Sequence, residues 1–171
     1  MHIDSTAAMV SLKKGIRIMK KRKILFLFAF LLLIVLSRVT ITIANNSIAA
    51  GLEKQLVKCP LPPDTRILDS ISIAGKMEGN GNGMQWFGAM LVESELDEEA
   101  LRAWYENQIP DAEYILVCRQ ETPYIFEYRD YTFHNFDASQ KCYMIRLEKY
   151  SICGCEDSLW EAFLNSDIRG H

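Results

Sequence analysis

The chain has 171 residues and a formal net charge of −3, which allows one modest domain and an appendage. Its charge is unevenly placed, because residues 1–23 carry seven Lys or Arg and one acid, whereas residues 45–171 carry eleven bases and twenty-one acids. An acidic domain repels phosphate backbones, so this distribution excludes nucleic acid as an expected partner.

The first predicted elements are a basic N-terminus, residues 1–23, and an apolar segment, residues 24–44. As a helix, the apolar segment would rise about 31 Å, which is enough to cross a bilayer. Four consecutive bases, Lys20 to Lys23, precede it. Because such residues stay on the cytoplasmic side, we expect the N-terminus in the cytoplasm and the remaining chain outside, as a single-pass protein of the cell membrane. The lipid bilayer is therefore the predicted partner of Ile24 to Ala44.

A cleaved signal peptide is the alternative interpretation of the apolar segment. The uninterrupted run from Ile24 to Leu36 has the length of a signal-peptide core, and small residues suited to cleavage precede Asn45 and Ala50. Cleavage would make the domain a secreted one. We favour the uncleaved anchor, because apolar residues continue beyond the length that cleavage requires. Met19 begins a stretch that is typical of a natural translation start. This favours the interpretation of residues 1–18 as an extension that results from a wrongly assigned initiation codon.

Residues 45–63 are predicted to form a stalk or linker, which ends in a proline-rich stretch, and residues 64–171 the folded α+β domain. Apolar and polar residues alternate at the start of this domain, which predicts a strand with Ile67, Ile71 and Ile73 on one face.

The stretch EGNGNG places three glycines, Gly79, Gly81 and Gly83, between this strand and a second predicted strand. Glycine and asparagine tolerate positive φ, so the pattern indicates a hairpin turn or a bulge. A phosphate-binding loop would open a helix, whereas here another strand follows. We therefore predict a structural turn.

The later elements complete the predicted order β-β-α-β-β-β-α. The first helix of the domain would be capped by Ser94 or Asp97, and the last helix by Ser158. The last helix has the apolar stripe Leu159, Trp160, Phe163 and Leu164. Because the strands are mostly linked as hairpins, we expect an α+β fold: an N-terminal membrane or signal-anchor helix, then a small, mainly antiparallel sheet with two helices.

Cysteines are the residues whose pattern most nearly indicates chemistry. Cys142, Cys153 and Cys155 are candidates for redox chemistry or for a disulfide, and we favour a structural disulfide from Cys153 or Cys155 to Cys142 or Cys118. Thiolate chemistry is less favoured, because acidic neighbours at positions 156 and 157 raise the pKa of a thiol.

A metal site is a weak alternative at the same cysteines. His134 joins Cys153 and Cys155 as suitable ligand types, but their spacing lacks the paired ligands of structural zinc sites. We therefore expect neither a metal nor another cofactor.

These patterns favour a non-enzymatic binding or interaction module of the cell envelope. We expect no catalytic residue, because no serine lies in a nucleophile elbow and the only internal histidine lacks an evident nucleophile and acid. The alternative function is an extracytoplasmic thiol-redox or metal-binding protein that uses Cys153 and Cys155. A count of free thiols in the oxidised domain would separate the two.

Overall fold

A computed structural model of the chain describes residues 5–77, 83–125, 128–151, 154, 157–167 and 169, with side chains from residue 19 onward except at 126–130. The elements in these ranges are α1 (Ser5–Lys58), β1 (Thr65–Gly75), β2 (Gln85–Ser94), α2 (Glu98–Gln108), β3 (Tyr114–Arg119), β4 (Tyr124–Ile125), β5 (Tyr128–Thr132), β6 (Cys142–Tyr150) and α3 (Leu159–Asn165). The α+β class is therefore confirmed. Four described strands lie between α2 and α3, one more than the sequence order predicted.

The chain divides into two compact units, Met1–Thr40 and Ile41–His171. In the first unit, the apolar side chains of α1 are exposed, as Phe26 illustrates with 77% of its surface accessible. In the part of the chain whose side chains are described, one helical segment, Met19–Lys58, is long and apolar enough to cross a membrane. Signal sequences meet the same criteria, so this helix is compatible with either a membrane anchor or a signal sequence.

The second unit is built on a four-stranded antiparallel sheet with the order β1-β2-β6-β3, and β4 and β5 form a separate two-stranded sheet. We call the side of the larger sheet that α1 and α2 cover the helix face. Leu56 of α1 and Tyr105 of α2 are buried there against β6 residues such as Ile145. We call the opposite side the hairpin face, because Ile125 of β4 and Phe133 after β5 pack on it.

Most of the predicted stalk, residues 45–63, belongs to the last part of α1 in this structure. Buried residues recur there at helical spacing, namely Ile41, Asn45, Ala49 and Leu56. Gly88 of β2 allows the close approach of the helix, because a Cβ at that position would lie 2.1 Å from the backbone nitrogen of Glu53. The helix therefore packs directly on the backbone of the central sheet.

The predicted common face of Ile67, Ile71 and Ile73 is wrong. The pairing of β1 with β2 shifts between Ile67 and Asp69, as it does at a β-bulge. An inserted residue reverses the side to which all later side chains point. Ile67 consequently packs in the core of the helix face, whereas Ile71 and Ile73 pack on the hairpin face.

Both helix caps in the domain follow local rules that the sequence shows. Asp97 caps α2 by accepting a hydrogen bond from the backbone nitrogen of Ala100, and Ser158 caps α3 by accepting one from that of Glu161. The predicted apolar stripe of α3 is only partly buried. Leu164 lies in a core cluster, but Leu159 is 92% exposed and Trp160 is 58% exposed.

Candidate functional site

The candidate site lies on the hairpin face, where the central strand β6 presents every second side chain. Cys142 and Met144 continue the apolar core of this face. The next two positions with the same orientation are Arg146 and Glu148, whose side chains are only 3% and 4% exposed. The strand therefore changes from apolar to charged side chains while remaining buried.

Arg146 and Glu148 form an ion pair between Nε and Oε1. The guanidinium carbon of Arg146 lies 5.4 Å from the ring centroid of Phe87, which adds a cation–π contact from the neighbouring strand. Tyr150 donates a hydrogen bond from its hydroxyl to Oε2 of Glu148. Burying an ion pair rarely stabilises a fold more than apolar side chains would, so stability alone does not explain this arrangement.

A cavity of about 500 Å³ opens beside this ion pair. Its volume lies within the range of pockets that hold small ligands. Arg146 is the buried charge in its wall, and the apolar and aromatic part of the wall comes from Leu116, Cys118, Met144 and Tyr124. The polar part comes from Arg119, Gln120, Glu121 and Thr122. The cavity thus combines an apolar surface with the guanidinium group of a buried ion pair.

Gln120 holds the turn that forms the polar part of the wall. Its backbone nitrogen donates to the carbonyl oxygen of Cys142 at 2.9 Å, which extends the pairing of β3 with β6. Its side-chain nitrogen donates to the carbonyl oxygens of Thr122 at 2.8 Å and Tyr124 at 2.6 Å. These bonds hold the chain between β3 and β4 in the conformation that forms this part of the wall.

Three cysteines were predicted to take part in redox chemistry or a disulfide, and Cys142 is the one that lies within the described residues. It is a buried free thiol. Its sulfur donates a hydrogen bond to the carbonyl oxygen of Asp137 at 3.8 Å. Burial raises the pKa of this thiol, which opposes thiolate formation. Cys153 and Cys155 lie outside the described residues, so a disulfide or redox pair that includes them stays a prediction.

His134 lies on the surface, where its backbone nitrogen donates to Oδ2 of Asp69 at 2.6 Å. Within the described ranges, no group of three His, Cys, Asp or Glu side chains is placed to hold a metal ion. The proposed combination of His134 with Cys153 and Cys155 extends beyond those ranges and stays untested.

Two of the three turn glycines, Gly79 and Gly81, also lie outside the described residues. β1 and β2 pair as antiparallel neighbours, so the glycine-rich stretch joins two strands of a hairpin. Gly83 is needed for a reason that the turn hypothesis did not include. A Cβ at Gly83 would lie 1.8 Å from the carbonyl oxygen of Ser151, so a close backbone approach requires glycine there.

Sequence reasoning missed Arg146 and Glu148, although β6 carries a signal for them. In the stretch CYMIRLEKY, both alternating sets begin with apolar residues, which is typical of a strand buried on both faces. Charges at positions 146 and 148 within such a strand indicate buried charges. No comparable local signal shows that the turn after β3 lines the cavity. The position of this turn depends on the order of the strands in the sheet.

Comparison with known proteins adds no relative: no family model, curated protein or solved structure matches this chain.

Proposed function

We propose that this chain is a single-pass membrane protein whose second unit is a non-enzymatic binding module outside the cytoplasm. We propose further that the module binds a small ligand with a carboxylate and an apolar part in the cavity beside Arg146. The single observation that carries the binding proposal is that Arg146, whose side chain is 3% exposed, shares a cavity wall with the apolar side chains of Leu116 and Met144.

The membrane part of the proposal is supported by the apolar helix and its basic flank. Lys20 to Lys23 precede the apolar run, and such clusters remain in the cytoplasm. The packing of α1 argues against the later of the two cleavage positions. Cleavage before Ala50 would remove Asn45, whose side chain is buried and bonded to Trp86, Leu164 and Asp167.

The ligand class follows from the chemistry of the cavity wall. A guanidinium has a planar set of N–H donors that matches the two oxygens of a carboxylate. Leu116 and Met144 offer apolar surface, on which a hydrocarbon or aromatic group gains free energy by leaving water. A ligand with both features would use the two parts of the wall together.

Phenylacetate and its uncharged analogue phenylacetamide provide a direct test on the full-length chain in lipid nanodiscs. A ligand at ten times its Kd stabilises the folded state by about 1.4 kcal/mol, which corresponds to about 3–6 °C in Tm for a unit of this size. We expect phenylacetate to raise Tm with saturation and phenylacetamide to have little effect, because only the carboxylate pairs with Arg146.

Three variants complete the experiment. Leu116→Trp should fill the cavity and remove the shift. Replacing both charges, Arg146→Met with Glu148→Leu, should retain the fold, because well-packed apolar residues replace buried ion pairs at little cost, and it should abolish the preference for the carboxylate. Arg102→Met is the matched control, since Arg102 forms a half-exposed ion pair with Glu98. An equal shift by both compounds, or a shift that survives in Leu116→Trp, would contradict the proposal.

A further inference from the structure

Two large apolar side chains at the start of α3 lie on the surface of the second unit. Leu159 is 92% exposed and Trp160 is 58% exposed, and they are adjacent in the sequence. The ring of Trp160 stacks on the ring of Phe163, with 5.4 Å between their centroids. This contact fixes the orientation of the Trp160 ring. Phe163 in turn packs against the core cluster that contains Leu164.

The second turn of α3 is bound to the part of α1 that ends the predicted membrane span. The side-chain nitrogen of Asn45, the first residue after the span, donates to the carbonyl oxygen of Leu164 at 3.1 Å and to Oδ2 of Asp167 at 2.8 Å. Phe163 and Leu164 share a core cluster with Ala44, the last residue of the span.

The folded unit also includes the last turn of the span itself. Ile41 lies within the predicted span and is only 4% exposed, although the apolar side chains that precede it, such as Leu36 and Val39, are exposed. Within the second unit, protein atoms therefore cover one side of the last turn of the span, whereas Ile43 on another side is 60% exposed. The second turn of α3, which is bonded to Asn45 and shares a core cluster with Ala44, therefore lies beside the last turn of the span.

We infer that the first turn of α3 is a second membrane contact, with Trp160 at the headgroup level of the outer leaflet and Leu159 at the boundary of the acyl chains. This inference rests on the proposed membrane anchor. Trp is favoured at membrane interfaces because its ring is apolar and its N–H is polar. Asp157 and Glu161 flank the pair, so the contact is apolar and does not select anionic lipids.

Trp104 provides an internal control for the position of Trp160. Its ring nitrogen donates to the carbonyl oxygen of Pro60 at 2.9 Å, just beyond the end of α1 at Lys58. Lys58 lies fourteen positions after Ala44 in α1, which places Trp104 about 20 Å along the helix from the end of the span. Lipid groups near the interface should therefore reach Trp160 and not Trp104.

The experiment reconstitutes the full-length chain into phosphatidylcholine vesicles whose acyl chains carry bromine near the headgroup, a quencher of Trp fluorescence. We expect the quenched fraction to fall by at least half in Trp160→Phe and to remain unchanged or rise in Trp104→Phe. Leu159→Ser should shift the emission of Trp160 to longer wavelength, because it weakens the insertion of the first turn.

Flotation of the vesicles after a carbonate wash tests the membrane anchor separately from the second membrane contact. If the chain does not float with the lipid, the anchor fails and the second contact fails with it. If the chain floats and Trp160→Phe is quenched as strongly as the unmodified chain, only the second contact is overturned. That second result would leave Leu159 and Trp160 as a surface for a protein partner.

Discussion

Two glycines in β2 and just before it show how single residues permit the packing of this domain. Gly88 lies under α1, and Gly83 lies against the carbonyl group of Ser151. Neither has the positive φ that would require glycine on conformational grounds, since Gly154 alone has it among the glycines in the described ranges. Their shared property is the absence of a Cβ where two backbones meet.

Alanine substitutions at glycines should therefore separate into two groups. Gly83→Ala and Gly88→Ala should each lower the free energy of unfolding by about 1–3 kcal/mol or more, because a Cβ would overlap backbone atoms that cannot rotate away. Gly51→Ala should raise it by about 0.5–1 kcal/mol, since Gly51 is inside α1 with no atom within 4 Å of its ideal Cβ. Denaturant unfolding of the reconstituted chain measures all three. Equal stability of the three variants would refute the steric explanation.

At the scale of elements, a buried polar network connects the C-terminal segment to α1. Asn45 is its centre: its side-chain oxygen accepts a hydrogen bond from the ring nitrogen of Trp86 at 2.9 Å, while its nitrogen donates to Leu164 and Asp167. Arg169 completes the network with an ion pair to Asp167 at 2.7 Å. The buried side chains of Asn45, Trp86 and Asp167 thus have partners within this network, which makes the placement of α3 specific.

The network predicts a dependence of stability on pH. Burial raises the pKa of Asp167, but the hydrogen bonds from Arg169 and Asn45 lower it by more, so its pKa in the folded chain lies below the ordinary value. A lowered pKa stabilises the fold above the unfolded pKa of about 3.9, and this contribution is lost as the pH falls through the lower, folded value. Asp167→Asn should therefore be less stable than the unmodified chain at pH 6, and the difference should shrink below about pH 4.

Thermal unfolding of the two proteins across pH 3–7 tests this sign. Asp111→Asn is the matched control, because Asp111 is exposed and should change the profile little. A difference between Asp167→Asn and the unmodified chain that stays constant with pH would show that the carboxylate charge does not contribute.

The elements also show which local signals were reliable. The caps at Asp97 and Ser158 were predictable, because a cap depends on a side chain and an amide three residues apart. The bulge in β1 was not, since nothing in TRILDSISIAG marks where the pairing with β2 shifts. The exposure of Leu159 could not be predicted from the sequence either. An apolar stripe indicates which face of a helix is apolar, but it does not show how much of that face the rest of the protein covers.

At the scale of the whole molecule, the proposed topology predicts where each end of the chain lies. A periplasmic-type reporter fused after His171 should be active outside the cytoplasm, because Lys20 to Lys23 retain the other end inside. The membrane fraction should contain the chain with its apolar segment, as intact-mass measurement would show. A reporter active in the cytoplasm, or a mature species that begins at Asn45 or Ala50, would contradict this topology or the anchor respectively.

The sequence by itself determined the apolar span, the α+β class and the N-terminal caps of the short helices, because each depends on composition or on a pattern within a few residues. The tertiary structure decided the candidate site. Arg146 reaches the cavity wall only because β6 lies between β2 and β3, and the turn at Gln120 closes the wall only because β3 ends beside Cys142. It also decided that Asn45 binds Leu164 of α3, which lies 119 residues later in the chain. Strand order and register bring such distant residues together, and they are set by the free energy of packing the whole sheet rather than by any local pattern.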